Sequence, residues 1–140
     1  MSVKHWAASF IQTVEASGLM QGSDGTFRPD EESTAAEVCA TSGRSQQRPD
    51  ASEPMEGLPA DAWYTPEVSA AAAAGLLDGL DDFQPEAAIS RADTMQIFAK
   101  LLGKQGSQLA DEQTGEQKLA AFSDADTIPG DRRAAVVLCM

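Results

Sequence analysis

Apolar positions along this chain come in short helical stretches, each closed by a glycine and separated from the next by polar residues. Trp6, Phe10 and Val14 recur at i, i+4 and i+8, one face of a helix, and Gly18 follows as a left-handed C-cap. A second such stretch has Thr65 as the expected N-cap, Pro66 at the first helical position and Gly75 as its end. Its run of alanines, 70–74, carries little bulk and predicts close approach to a neighbouring helix. Two further helices start on capping-box patterns, Thr34-x-x-Glu37 and Ser90-x-x-Asp93, with aspartate giving the shorter and weaker box. After Ser90, the residues Met95, Phe98 and Leu102, flanked by Ile97 and Leu101, predict a well-defined apolar face ending at Gly103. The matching helix after Thr34 is poorer, because Val38 and Cys39 are followed quickly by Thr41, Ser42 and Gly43.

These stretches are copies of one another. Trp6, Gly18, Leu19 and Gly22 recur 57 residues later as Trp63, Gly75, Leu76 and Gly79. After a one-residue deletion the shift is 56, which carries Phe27-Arg28-Pro29-Asp30 onto Phe83-Gln84-Pro85-Glu86 and Thr34-Ala35-Ala36-Glu37 onto Ser90-Arg91-Ala92-Asp93. A tandem helix-loop-helix repeat follows. The expected organisation is a first unit at 1–43, a linker at 44–60, a second unit at 61–103, a second linker at 104–121 and the start of a third unit at 122–140. Both linkers are polar, the first rich in Pro, Ser, Gln and Glu and the second in Gln, Glu and Gly, and read as mobile. The third unit opens on Phe122-Ser123-Asp124, passes Ile128-Pro129 and becomes helical over 131–140, with Asp131 at the position of Trp6 and Trp63.

Composition changes the picture in two ways. The 140 residues include 24 alanines but only 25 Leu, Ile, Val and Phe, so the core is thin and the chain sits near the compositional border of disorder. The net charge of −12 lies mostly in the two complete units. With no Lys/Arg stripe to release phosphate counterions, nucleic acid is excluded as a partner, and an anionic membrane surface is disfavoured. No window is long and apolar enough for membrane insertion, and no apolar leader with a cleavage site precedes the first helix. Cys39 and Cys139 read as small buried apolar residues, not as a disulfide.

The ordered set His5-Trp6, Gly18-Leu19-Met20-Gln21-Gly22, Asp24-Gly25-Thr26-Phe27-Arg28-Pro29-Asp30 and Thr34-Ala35-Ala36-Glu37 resembles a surface-layer homology (SLH) repeat. The second unit resembles it through Trp63-Tyr64, Gly75-Leu76-Leu77-Asp78-Gly79, Phe83-Gln84-Pro85 and Ile89-Ser90-Arg91-Ala92-Asp93. The resemblance implies a mainly α fold of SLH repeats packed as part of a pseudo-threefold spindle, with the third repeat incomplete. It also implies non-covalent anchoring of exported proteins to an acidic, pyruvylated cell-wall glycan, outside the cell. In the family, a Thr-Arg-Ala-Glu motif brings an arginine to the groove between repeats. A guanidinium at a helix N-terminus suits a ligand carboxylate, because its fork gives bidentate bonds and the helix adds partial positive charge. Arg91 holds that position in the second unit and Ala35 in the first, so one arginine motif is complete.

The candidate glycan-binding set is therefore Arg91 with Ser90 and Asp93, then Thr34 and Glu37 at the equivalent helix start, and Trp6 and Trp63. The tryptophans could stack on pyranose rings, but read better as core anchors of the first helix in each unit. The acidic loop at 24–30 fails as a calcium loop, since aligning Gly25 to the EF-hand glycine puts Met20 and Gly22 where carboxylates are needed. Its Asp-Gly pair reads as a turn, with Phe27 tucked inward. His5, the sole histidine, has no triad partners and reads as a surface residue of the first turn; the acid pairs Asp81-Asp82 and Glu31-Glu32 sit in loops. No enzyme activity, cofactor or metal is expected. Partners are a cell-wall polysaccharide and other SLH repeats. The chain is expected to be a fragment of a larger exported protein, and the alternative is a degenerate structural or self-assembly module that no longer reads a glycan.

Overall fold

The computed structural model describes residues 4–49, 51, 53–104 and 112–140. Among the described residues six α-helices follow in order: α1 (Ala8–Ala16), α2 (Ala35–Ser45), α3 (Thr65–Ala73), α4 (Arg91–Lys104), α5 (Glu112–Leu119) and α6 (Arg133–Cys139). Short 3-10 turns at Ala125–Thr127 and Gly130–Arg132 lead into α6. No strand occurs among the described residues, only the isolated bridges Ser23–Thr26 and Thr34–Ala88.

The repeat is visible in the local geometry. Gly18 (φ 73°) and Gly75 (φ 72°) end α1 and α3 in the left-handed region. In both, the following residue closes the helix: Leu19 N–H donates to Val14 O and Leu76 N–H to Ala71 O, each at 3.0 Å. Asp24 and Gly25 both have positive φ and form a two-residue turn closed by paired Ser23–Thr26 bonds of 2.9 and 3.0 Å. Gly22 is required beside it, since a Cβ there would run into the Thr26 carbonyl. Phe27 is half-buried.

The main core joins α2, α3 and α4. Val38 and Cys39 from α2, Val68 and Ala71 from α3, Leu76 and Leu77 after α3, and Ile97 and Leu101 from α4 are buried together. Ala70 and Ala71 lie buried as the alanine run predicts, and Gly43 of α2 faces Glu67 of α3 so closely that an added Cβ would sit 3.2 Å from Oε2. Thr65 is not the cap expected of it. Its hydroxyl donates to the Pro59 carbonyl, and Tyr64 occupies the N-cap position without a side-chain bond.

The tryptophans depart from expectation too. Trp6 is 81% exposed, Trp63 59% and Phe10 67%, while α1 buries only Ile11. Trp6 stands in the turn before α1 and not on the helix, and the residue that α1 turns inward is Ile11, not Phe10. In the second unit Tyr64, not Trp63, enters the core, and the two rings meet edge-on at 5.7 Å.

The segment 104–121, expected as a linker, contains α5. Leu119 is buried with Ala125 and Val136 in a second cluster, against which Met95, Ile128 and Val137 pack. Arg133 ties α5 to α6, with Nη2 donating to Glu116 Oε2 at 2.8 Å and Nη1 to the Ala125 carbonyl at 2.9 Å. The α4 helix thus serves both clusters: Ile97 and Leu101 point to the first, and Met95 to the second.

Candidate functional site

The two capping boxes differ in a way that builds the site. At α2 the box is complete: Glu37 N–H donates to Thr34 Oγ1 at 3.3 Å, and Thr34 N–H to Glu37 Oε2 at 2.8 Å. The other Glu37 oxygen takes Arg28 Nη2 at 3.3 Å. Thr34 and Glu37 are therefore engaged in holding the helix start and the preceding loop. The first N–H groups of α2 are also satisfied from the second unit, Ala35 by the Ala87 carbonyl at 3.0 Å and Ala36 by the Pro85 carbonyl at 2.9 Å. Together with Ile89 N–H on the Ser33 carbonyl (3.1 Å), these bonds stitch the two repeats.

At α4 the aspartate is one methylene shorter. Asp93 N–H still donates to Ser90 Oγ (3.0 Å), but the carboxylate takes the Ser90 hydroxyl on Oδ2 (2.8 Å). Its Oδ1 is left for Arg132 Nε at 2.8 Å. Arg132 further donates through Nη1 to Asp131 (2.7 Å) and through Nη2 to the Gly79 carbonyl (2.9 Å). Its side chain is only 12% exposed. Burial pushes the Asp93 carboxyl up, but the hydrogen bonds from Arg132 and Ser90 and the Arg132 charge outweigh it, so its pKa lies below its ordinary value. Arg132 is correspondingly raised, first by its hydrogen bond to Asp93.

This cluster forms one wall of a groove of about 240 Å³ at the junction of the units. Ala35 comes from the first unit, Gly79, the 80–84 turn, Ala88, Ile89 and Asp93 from the second, and Asp131 and Arg132 from the third segment. Arg91 is not in this lining. It stands exposed at the first residue of α4, with no hydrogen bond or ion pair among the described residues. The structure brings Ser90 and Asp93 together with Arg132; Thr34 and Glu37 lie at the neighbouring helix start; Trp6 and Trp63 lie on exposed faces elsewhere. His5 sits beside Trp6 and bonds Asp30 through Nε2 at 3.0 Å, with Nδ1 accepting from Ala7 N–H. Sequence reasoning missed Arg132. The one available signal was Asp93 in place of glutamate, a capping residue too short to complete its own box.

Comparison with known proteins places these units. The S-layer homology domain matches residues 2–38 and 59–95, more than half of the chain. A cellulosome-anchoring protein of Acetivibrio thermocellus is 30% identical over 108 residues, covering 70% of this chain and 24% of that protein. The chain thus spans about a quarter of that relative's length. With both tandem repeats matched, the chain belongs to the S-layer homology domain family.

Proposed function

We propose that this chain is a cell-surface anchoring module that holds an acidic cell-wall glycan through Arg91, without covalent chemistry or a cofactor. The observation that carries the reading is the state of Arg91. In a matched repeat, at the first residue of α4, its guanidinium is exposed and uncommitted, while the other helix-start groups are engaged internally. The N-terminal end of α4 adds partial positive charge to a fork already suited to a carboxylate. The relative's anchoring role supports the same class of function. No helix among the described residues is long and apolar enough to cross a membrane, which fits a partner in the wall polymer. Because the protein carries a net charge of −12, the contact works locally against the protein's own field, and added salt weakens it little.

The test is a pull-down with purified cell-wall sacculi. Arg91→Ala should lower binding by roughly tenfold or more, the scale of a hydrogen bond to a charged group. Arg91→Lys, which keeps the charge and loses the fork, should fall between the two. Undiminished binding by Arg91→Ala overturns the reading.

One observation favours a second reading. The exposed Trp6, just before α1, and Phe10, on it, are apolar surface of the kind that packs with a partner repeat. If the module serves assembly instead, its melting temperature should rise with protein concentration, and Trp6→Ser should remove that dependence.

A further inference from the structure

The register of the repeat puts Ala35 where the second unit has Arg91, so the first unit brings no cation to the groove that Ala35 lines. A guanidinium is there nonetheless, supplied by Arg132 from the third segment. Three of its N–H groups are taken by Asp93, Asp131 and the Gly79 carbonyl. Since a guanidinium carries five, one donor remains on each terminal nitrogen. Its charge is already matched by the two aspartates.

The groove holds two more carboxylates, and the repeat explains how they came there. In the first unit Asp24-Gly25 is closed by the paired bonds of Ser23 and Thr26. The second unit lacks one residue and has two successive turns instead, closed by Leu80 N–H on the Leu77 carbonyl and Phe83 N–H on that of Leu80. Asp81 and Asp82 stand in the second turn, line the groove and make no hydrogen bond among the described residues. A ligand carboxylate could take the two remaining N–H groups only of a guanidinium whose charge Asp93 and Asp131 already match, and against the field of Asp81 and Asp82 as well. Sugar hydroxyls meet no such obstacle: each can donate to a carboxylate while accepting from the remaining guanidinium N–H groups. Phe83 and Ile89 supply an apolar wall, and the volume is of the order of one monosaccharide unit.

We propose that this groove takes an uncharged, hydroxyl-bearing sugar unit of the wall polymer, with Arg132, Asp81 and Asp82 setting that preference. The inference rests on the anchoring reading and divides its labour: the acidic unit pairs with Arg91, and a neutral unit of the same polymer enters the groove, whose Asp93 lies two residues along the same helix.

The experiment titrates the isotope-labelled full chain with oligosaccharides released from wall polymer, separated by anion exchange into a neutral and an acidic fraction. The neutral fraction should shift the backbone amides of Gly79 and Ala88 and the Arg132 Nε–H. The Asp81→Asn/Asp82→Asn double variant should lower that affinity at least threefold and let the acidic fraction into the groove. Arg91→Ala should leave the neutral-fraction shifts in place. Groove shifts from the acidic fraction on the native chain, or none from the neutral one, overturn the proposal. Loss of sacculi binding in Arg91→Ala with an unresponsive groove would leave anchoring standing and remove only this inference; the converse pattern would do the opposite.

Discussion

Asp93 does at one position what a glutamate would do differently. Glu37, at the equivalent place, reaches back to the Thr34 N–H and completes its box. Asp93 is too short for that, turns one oxygen to the Ser90 hydroxyl and gives the other to Arg132. Its lowered pKa makes the contact sensitive to acid in a definite direction. A carboxyl whose folded pKa is depressed contributes stability that is complete above the unfolded value and is lost as pH falls through the folded one. On acidification below about pH 4, the ordinary aspartate range, the Arg132 tether should therefore weaken. Following the Arg132 Nε–H resonance and the Val136 methyl groups during an acid titration checks this. Asp93→Asn should show the weakened state already at neutral pH, with a much smaller further change at the Arg132 Nε–H on acidification, since Asp131 stays on Nη1. An unchanged acid response in Asp93→Asn would assign it to another group.

At the scale of elements, what could be read from sequence was what the chain decides locally. The glycines that end α1 and α3, the capping box at Thr34, the hydroxyl cap at Ser90 and the Asp24-Gly25 turn each need only a few neighbouring residues, and each is found, although the box at Ser90 is only half made. The outward side of α1 was not legible, because periodicity identifies an apolar face but not whether anything covers it; Trp6 and Phe10 remain exposed. Nor was α5. Glu112–Leu119 carries one large apolar residue, so composition reads as a linker, and the helix is held by tertiary contacts of Leu119 and Glu116 instead. Arg91 as a candidate was legible from the repeat register, whereas Arg132 was not, since its meeting with Asp93 spans 39 residues. Gly115 gives this element a test whose sign runs against propensity. Glycine to alanine inside a helix ordinarily stabilises by about 0.5–1 kcal/mol. Here the added Cβ would run into the Val137 side chain. Gly115→Ala should therefore destabilise the α5–α6 pair, by about 1–3 kcal/mol as overpacking does, read from amide exchange of α6. Greater protection would mean that Val137 has room to move.

The whole molecule is two small cores on one shared helix. Leu76, Ile97, Val68 and Cys39 are buried in the first, where three helices meet; the second rests on Leu119, Ala125 and Val136, with Met95 of α4 packed at its edge. Alanine-rich helices bury little area each, so neither cluster is large, and their joint cooperativity depends on α4 and the Arg132 tether. Truncating Leu119 and Ile97 to alanine should each cost about 2–5 kcal/mol, the range for emptying a buried aliphatic site, but the consequences should differ. Cys39 is buried in the first core, and burial pushes its thiol up to about 12, so it stays unreactive until that core opens. Cys139 at the end of α6 is half-buried, with its Sγ against the Met95 carbonyl, and reports on the second core. In Leu119→Ala, labelling of Cys139 by a thiol reagent should accelerate while Cys39 stays protected and the tryptophan-detected urea midpoint holds. In Ile97→Ala both thiols should become accessible and the midpoint should fall, because the helix that carries the second core is anchored in the first. If Leu119→Ala instead exposes Cys39 as readily as Cys139, the two cores unfold as one unit.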